Sequence, residues 1–455
     1  MTITKTSIPG RPVFIIDGSR TPFLKARAKP GPFAAAELAL NAARPLLARQ
    51  PFAPADFDEV IFGCIMPGPD EANIARVIAL RLGCGDATPA WTVQRNCGSG
   101  MQAIDSGARD IASGNAELVL AGGTEAMSHA PVLFSNAMVA WLGQWSQARN
   151  LGQRFKALTQ LRLGYLQPII GLLRGLTDPV VGLSMGQTAE IVAHRFGLSR
   201  ETIDAYALES HRRLAQAQRE GKLKEIETLY DWQGNYYDHD EGVRPDTTLE
   251  QLARLKPVFD RDFGKVTAGN SAQVTDGAAC VILASESAVE RHKLPVLGRI
   301  IDSEWAGLDP SQMGLGPIHA ATPLLKRHGL SLADVEFWEI NEAFAVQILA
   351  CLAAWNDATY CREQLGLEQP MGVVPRDRLN VDGGGISMGH PVGTSGARIV
   401  LHLLRVLERN QAVRGVAALC IGGGQGGAML IERQWNDARI IAPARVSLLR
   451  GDNGI

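Results

Sequence analysis

The sequence has almost no net charge. Across its 455 residues, 45 Lys and Arg face 47 Asp and Glu, for a formal value of −2. Nucleic-acid binding driven by total charge is disfavoured on that ground, and no nucleic-acid partner is predicted. Its seven cysteines are scattered and never spaced C-x-x-C, which excludes both a disulfide frame and a thiolate metal site. A reducing compartment follows, and because residues 1–12 show neither an apolar signal core nor an Arg-rich transit pattern, the expected location is cytoplasmic. The longest strongly apolar run without a charge, Leu163–Leu173, falls short of the roughly 18 residues that a membrane-spanning helix needs. The glycine runs 383–385 and 422–424 lack the Gly-Lys-Ser/Thr ending of a phosphate loop and the downstream acid of a dinucleotide fold. Asp238-His-Asp-Glu241 reads as a solvated acidic turn, and no metal is predicted.

What the chain does contain is repetition. Arg11-Pro-Val-Phe-Ile-Ile-Asp-Gly-Ser19 is echoed by Leu294-Pro-Val-Leu-Gly-Arg-Ile-Ile-Asp-Ser303, and both read as opening strands. In each half a further strand follows (Ala55–Cys64, Leu332–Asn341), then a small-residue loop, a helix, and a strand ending in glycines. The loops are Cys97-Gly-Ser-Gly100 and Gly393-Thr-Ser-Gly396; the strands are Leu118–Gly123 and Ala417–Gly423. Met101, Ile104, Ile111 and Ala112 line one helix face, and Ile399, Val400, Leu403, Leu404 and Leu407 the other, at helical spacing. Strands alternating with helices, without Asn-Gly hairpin signals, predict right-handed βαβ units and mostly parallel sheets, in two similar α/β halves around shared helices.

The expected division is residues 1–124 with 262–292 for the first half, 125–261 for an irregular inserted covering domain, 293–435 for the second half, and 436–455 for a tail without a readable motif. Within the insertion, residues 126–177 contain no Asp or Glu while Arg149, Arg154, Lys156, Arg162 and Arg174 are present. That local positive field suits a solvated surface, an anionic-ligand wall, or an amphipathic contact with a membrane or partner.

Four places carry chemistry. Cys97 follows a strand-like run and precedes a helix, where free N–H groups and the macrodipole favour the thiolate; the same context also suits a buried inert thiol. His390 lies on the equivalent loop of the second half, which pseudo-symmetry brings toward Cys97. Cys420 ends the last glycine-bearing strand and is followed by Ile421-Gly-Gly-Gly424, whose N–H groups are open to a developing oxyanion. Asn341-Glu-Ala-Phe344 closes a further strand. All four sit at carboxyl strand ends, where ligands of α/β sheets gather.

Together these residues resemble the thiolase family from about Arg11 to Glu432. Gly389-His-Pro-Val-Gly-Thr-Ser-Gly-Ala-Arg398, Asn341–Phe344, Cys420–Gly424, and Val266-Thr-Ala-Gly-Asn-Ser271 with Asp276-Gly-Ala-Ala279 are the blocks that carry the resemblance. It implies a five-layered α-β-α-β-α thiolase fold with an inserted covering loop domain, a homodimer or homotetramer, and acyl-CoA thioesters with coenzyme A as co-substrate, no cofactor being permanently bound.

By that resemblance Cys97 takes up the acyl group, His390 is the base, and Cys420 moves the proton at the substrate's α-carbon. Asn341, through a water, and His390 form one oxyanion site, and the N–H groups of Cys97 and Gly422 the other. Coenzyme A is expected against Arg244, Met185, Ala268, Ser271, Ala343 and Phe344. Where many thiolases have Ser-Gly, this chain has Ala272-Gln273, and Ser271 is the expected substitute for the lost hydroxyl.

Met66–Arg76, and the stretch running from Gly152–Lys156 to Met185–Glu190, look like the β subunit of fatty-acid oxidation complexes. That branch implies a hydratase/dehydrogenase partner subunit or a peripheral membrane contact; against it, Asn341 stands where the branch often has His. The expected activity is thiolysis of 3-ketoacyl-CoA to acetyl-CoA and a shortened acyl-CoA through an acyl-cysteine. The alternative is condensation of two acetyl-CoA. Cys420 argues against a decarboxylating ketoacyl synthase, and the intact Cys97, Asn341, His390 and Cys420 against an inactive scaffold.

Overall fold

A computed structural model describes residues 10–433 other than Ala28, so the tail at 436–455 and the outermost ends of the two expected halves lie outside the described residues. The strands are β1 (Val13–Arg20), β2 (Glu59–Gly63), β3 (Ala90–Val93), β4 (Leu118–Ala126), β5 (Thr275–Ser285), β6 (Gly298–Gly307), β7 (Phe337–Ile340), β8 (Arg414–Ile421) and β9 (Gln425–Glu432). With a short strand, Leu24–Lys25, beside β5, they form one sheet in the order β7-β8-β9-β6-β1-β5-β4-β2-β3. The helices used below are α1 (Ala35–Ala48), α2 (Ile74–Leu82), α3 (Ser99–Ser113), α4 (Asn136–Gln147), α5 (Leu151–Gln160), α6 (Met185–Arg195), α7 (Arg200–Arg219), α8 (Gly316–Arg327), α9 (Ala345–Asn356) and α10 (Ser395–Arg409).

The order of strands is a duplication folded about β1 and β6. β1-β5-β4-β2 of the first half corresponds to β6-β9-β8-β7 of the second, and the counterpart of β3 shrinks to a single bridge between Trp338 and Leu379. The seam is narrow: Val13, Phe14 and Ile15 pair with Ile300, Arg299 and Gly298. Val-Phe-Ile-Ile in β1 is apolar on both sides because both sides are covered. Val13 and Ile15 face an inner cluster with α3 and α10, while Phe14 and Ile16 face an outer one with α1 and α2. α8 and α9 close the opposite side of the second half. Helices, sheet, two central helices, sheet and helices give the five layers.

Two expectations are corrected here. The pairings are mostly antiparallel: only β2–β3, β2–β4 and β7–β8 are parallel. β8 and β9 form a hairpin closed by Gly422–Gly424, in which Gly423 and Gly424 take φ of 91° and 75°. Those glycines supply the positive φ that an Asn-Gly turn would otherwise provide. The insertion also does not act as one covering unit. α6 and α7 send Ala189, Val192, Ala193, Ile203, Tyr206 and Ala207 into the second-half core. α4 and α5 bury only Met138 and Ala157.

The acidic turn at 238–241 is not uniformly solvated. Asp240 is fully buried and takes both Nη atoms of Arg20, at 2.7 and 2.9 Å. The partner is 220 residues away in sequence, which is why the local pattern conceals it. Arg20 also reaches Glu225 (3.4 Å), which accepts from His402 of α10 at 2.8 Å, and the far side of His402 lies 3.2 Å from Asp382. This closed ionic chain fastens the insertion to both halves.

Candidate active site

The elbow before α3 is built by its neighbours in sequence. Asn96 takes a left-handed φ of 44°, which Asn tolerates better than most residues, and its Nδ2 donates to Gly422 O at 2.8 Å. Ser99 Oγ accepts from Arg95 N–H (2.8 Å) and donates to Asn96 O (2.7 Å), holding the turn. Cys97 is thereby presented, partly exposed, to the β8–β9 hairpin, and the Gly422 N–H donates to its sulfur. Burial pushes the Cys97 thiol up, outweighing the N–H groups of Gly422 and of Cys97 itself. Of the two readings that the sequence leaves open for this sulfur, burial favours the thiol.

His390 lies on the loop that meets the Cys97 loop from the second half, where α3 and α10 cross. A Cβ at Gly100 would lie 2.9 Å from Gly393 O, and one at Gly396 2.6 Å from Met101 N, so the crossing is backbone on backbone. Cys97 and His390 each stand three residues ahead of the glycines, Gly100 and Gly393, that face one another there. His390 is buried and its N–H donates to Gln273 O at 3.0 Å. Its Nδ1 is 2.6 Å from Ser395 Oγ, whose own hydrogen goes to Pro391 O at 3.1 Å. Nε2 faces a donor, the Asn341 side-chain amide, and so presents its lone pair, which places the ring proton on Nδ1 toward Ser395. Burial, with Arg398 second, pushes the imidazole down to about 4, so it is neutral at ordinary pH.

Asn341 extends β7, donating its N–H to Ala418 O at 2.9 Å, two residues before Cys420. Its Nδ2 lies 3.5 Å from His390 Nε2, and its Oδ1 is buried without a partner, a vacant acceptor beside the base. Glu342 locks this loop: its carboxylate accepts from Tyr206 (2.9 Å), Ser210 (2.7 Å) and Asn380 (3.1 Å). Cys420 is buried, and its thiol is held well above its usual range by burial, then by Cys97 and Cys351. The structure thus brings Cys97, Gly422 and Cys420 together at one mouth, with His390 and Asn341 paired beside them.

The residues expected at coenzyme A divide. Met185, at the start of α6, places its sulfur 3.3 Å from where a Cβ at Gly422 would stand. Ser271, Ala343 and Phe344 share one seam, through a Ser271–Phe344 bridge and the Ala272 N–H to Ala343 O bond of 2.9 Å. Ser271 Oγ donates to Thr267 O at 2.7 Å and so is left only as an acceptor. Ala268 and Arg244 are exposed and lie outside the helices and strands. Arg244 is tethered by its N–H to His211 Nδ1 at 3.1 Å. Gln273, standing where a smaller residue was anticipated, donates to Gly242 O at 2.7 Å and ties that loop to His390. Asn96, Ser395 and Glu342 were not singled out from sequence; only the Asn ahead of a strand-to-helix elbow carried a readable signal. Among the described residues no cluster of His, Cys, Asp and Glu is arranged to hold a metal ion.

Comparison with known proteins gives the following. The model of the thiolase N-terminal domain matches residues 13–287, and that of the thiolase C-terminal domain residues 294–433. The 3-ketoacyl-CoA thiolases of Yersinia pestis (strain Pestoides F) and Yersinia pseudotuberculosis (strain YPIII) are each 37% identical over 93% of this chain and 97% of their own. Human mitochondrial 3-ketoacyl-CoA thiolase, solved in complex with CoA, superposes with a TM-score of 0.79 at 39% identity, over 93% of this chain and 98% of that one. The acetyl-CoA acetyltransferase of Bacillus anthracis superposes equally well, at 0.79, with 35% identity over 94% and 100%.

Proposed function

The chain belongs to the thiolase family, and from that premise we propose that it cleaves 3-ketoacyl-CoA with coenzyme A, yielding acetyl-CoA and an acyl-CoA two carbons shorter through an acyl-Cys97 intermediate. What supports this reading is a pair of thiols, Cys97 with the Gly422 N–H on its sulfur and Cys420 close enough to feel its charge, beside a loop crossing that brings a neutral imidazole in from the second half. In the first half-reaction Nε2 of His390 takes the Cys97 proton and the sulfur attacks the 3-keto carbon. The C2–C3 bond breaks, its electrons pass to C2, and Cys420 supplies the proton that completes acetyl-CoA. His390 hands the proton it took from Cys97 to the Cys420 thiolate; in the second half-reaction it deprotonates incoming coenzyme A, whose sulfur displaces the acyl group from Cys97, and it returns that proton to the departing Cys97 sulfur. The N–H groups of Gly422 and Cys97 serve one oxyanion, and His390, with a water held by Asn341, serves the other.

Coenzyme A is assigned to the Met185, Ser271, Ala343 and Phe344 seam, with Arg244 and Ala268 outside it toward the nucleotide. A homodimer or homotetramer in the cytoplasm completes the reading. The exposed apolar side chains Leu151, Phe155 and Leu163, beside Arg149, Arg154, Lys156 and Arg162, support contact with a hydratase/dehydrogenase subunit or a membrane surface. The second reading, condensation of two acetyl-CoA, is favoured by the likeness to the acetyl-CoA acetyltransferase.

Incubation with 3-ketoacyl-CoAs of graded length, followed by intact mass, tests both readings. A trapped adduct on Cys97 and activity sustained beyond four carbons are expected. Activity confined to acetoacetyl-CoA selects condensation, and unchanged turnover by Cys97→Ser overturns the assignment of the nucleophile.

A further inference from the structure

Glu125 stands near the end of β4, fully enclosed, and its partners are dipoles and a thiol rather than a cation. Its Oε2 accepts from the N–H groups of Ile65 and Gly393, both at 3.0 Å. Its Oε1 accepts from Met66 N–H at 2.9 Å and lies 3.6 Å from Cys64 Sγ. Ile65 and Met66 follow β2 in the first half; Gly393 belongs to the His390 loop of the second. A carboxylate brings two oxygens and no hydrogen of its own, which suits three converging donors; an amide does not. A Cβ at Gly393 would stand 2.7 Å from Oε2 and 2.9 Å from Thr124 O, so only glycine lets the second-half loop come this close.

We propose that Glu125 is a positioning residue that clamps the His390 loop to the first half, setting the distance between His390 and Cys97. The kinetic part of the proposal rests on the thiolysis reading. Burial pushes the carboxyl up to about 7, against the three N–H groups and the Cys64 thiol, and its charge adds to burial in raising Cys97. The clamp is therefore whole above about pH 7, where the carboxyl is ionised, and loosens below. Of the other titratable groups nearby, Cys64 faces it from the β2 loop with Glu71 behind, Cys97 from ahead of α3, and His390 from beyond Gly393. Of the charges on the packed elements, Glu37 of α1 caps its own helix, Asp105 of α3 holds Arg109, Asp276 of β5 holds Ser128, and Arg398 of α10 holds Glu339.

The test is Glu125→Gln in the full chain, with Glu125→Asp beside it. Glu125→Gln turns an NH2 toward at least one N–H donor, and kcat for thiolysis is expected to fall about tenfold to a hundredfold while KM for coenzyme A stays within about twofold. The acid limb of kcat/KM near pH 7 should vanish, leaving the one that His390 sets near 4. Iodoacetamide reads Cys97 without substrate, because the other six cysteines are buried. Its alkylation at neutral pH should become several-fold faster in Glu125→Gln, since a negative charge is gone. Glu125→Asp should keep the acid limb with an intermediate kcat, and it carries the test if Glu125→Gln fails to fold. An unchanged acid limb and kcat overturn the proposal. So does a fall of kcat in proportion to the folded fraction, with alkylation spreading from Cys97 to the six buried cysteines. Absence of thiolysis in the unmodified protein instead sinks the functional reading, and the alkylation arm still judges Glu125.

Discussion

Two histidines twelve residues apart, both buried, end in opposite protonation states. His390, on the loop ahead of α10, has a hydroxyl and an amide for partners and is pushed down to about 4. His402, two turns into that helix, lies between Glu225 and Asp382 and is pushed up to about 10 although burial opposes it. Burial alone strips an imidazole of its proton; burial between carboxylates fixes it there. The first arrangement yields a base ready at neutral pH, the second a permanent cation that joins three parts of the chain. Residue type and depth do not separate catalyst from structural tie, but the charge of the neighbours does.

The contrast breaks most sharply at His390. His390→Gln keeps a polar side chain without a usable base, and steady-state kinetics should show kcat for thiolysis lower by about 10²–10⁴ with the melting temperature little changed. Asn341→Ala takes away the group beside Nε2 and should cost on the order of 10²-fold in kcat, again in a folded protein. His402→Leu has the converse signature. It leaves Glu225 with Arg20 alone and Asp382 with Arg409 alone, so stability should drop by about 3 kcal/mol in denaturant titration, while kcat per folded molecule stays close to that of the parent. The smallest effect is on pH. A folded-state value above the unfolded one of about 6.5 means that the stabilisation from His402 is complete below about pH 6.5 and is lost as pH rises through about 10. Glu225, held below its ordinary range, contributes above about pH 4 and is lost in acid. Melting temperature should therefore decline on the alkaline side in the parent and more weakly in His402→Leu; parallel alkaline declines would refute the cation.

Much of the site is legible in sequence because its parts are local and doubled. Cys97 and His390 sit on glycine-flanked loops that recur at matching places in the two halves, and Cys420 and Asn341 end strands whose apolar runs are plain. What sequence hides is whatever depends on a distant partner. Asp240 reads as surface until Arg20 is found against it. Glu125 is one letter in a strand until Gly393 arrives from the other half. The Cys97 thiol is misjudged from its helix alone because the opposing contribution, burial, comes from the hairpin and the second half. The antiparallel β8–β9 pairing is hidden for a related reason: in sequence a triple-glycine turn suits anion binding, and only the strand beyond it shows that it also reverses the chain.

The seam between β1 and β6 governs how the molecule comes into being. β1, which leaves the ribosome long before either neighbour, pairs on one side with β5, Val13 opposite Ser285, and on the other with β6, Val13 opposite Ile300. At synthesis rates of ~5–20 residues per second, an apolar strand with no local partner waits on the order of tens of seconds for either neighbour to emerge. Nascent chains should therefore depend on chaperones until about residue 300, and neither half expressed alone should yield a cooperative unfolding transition.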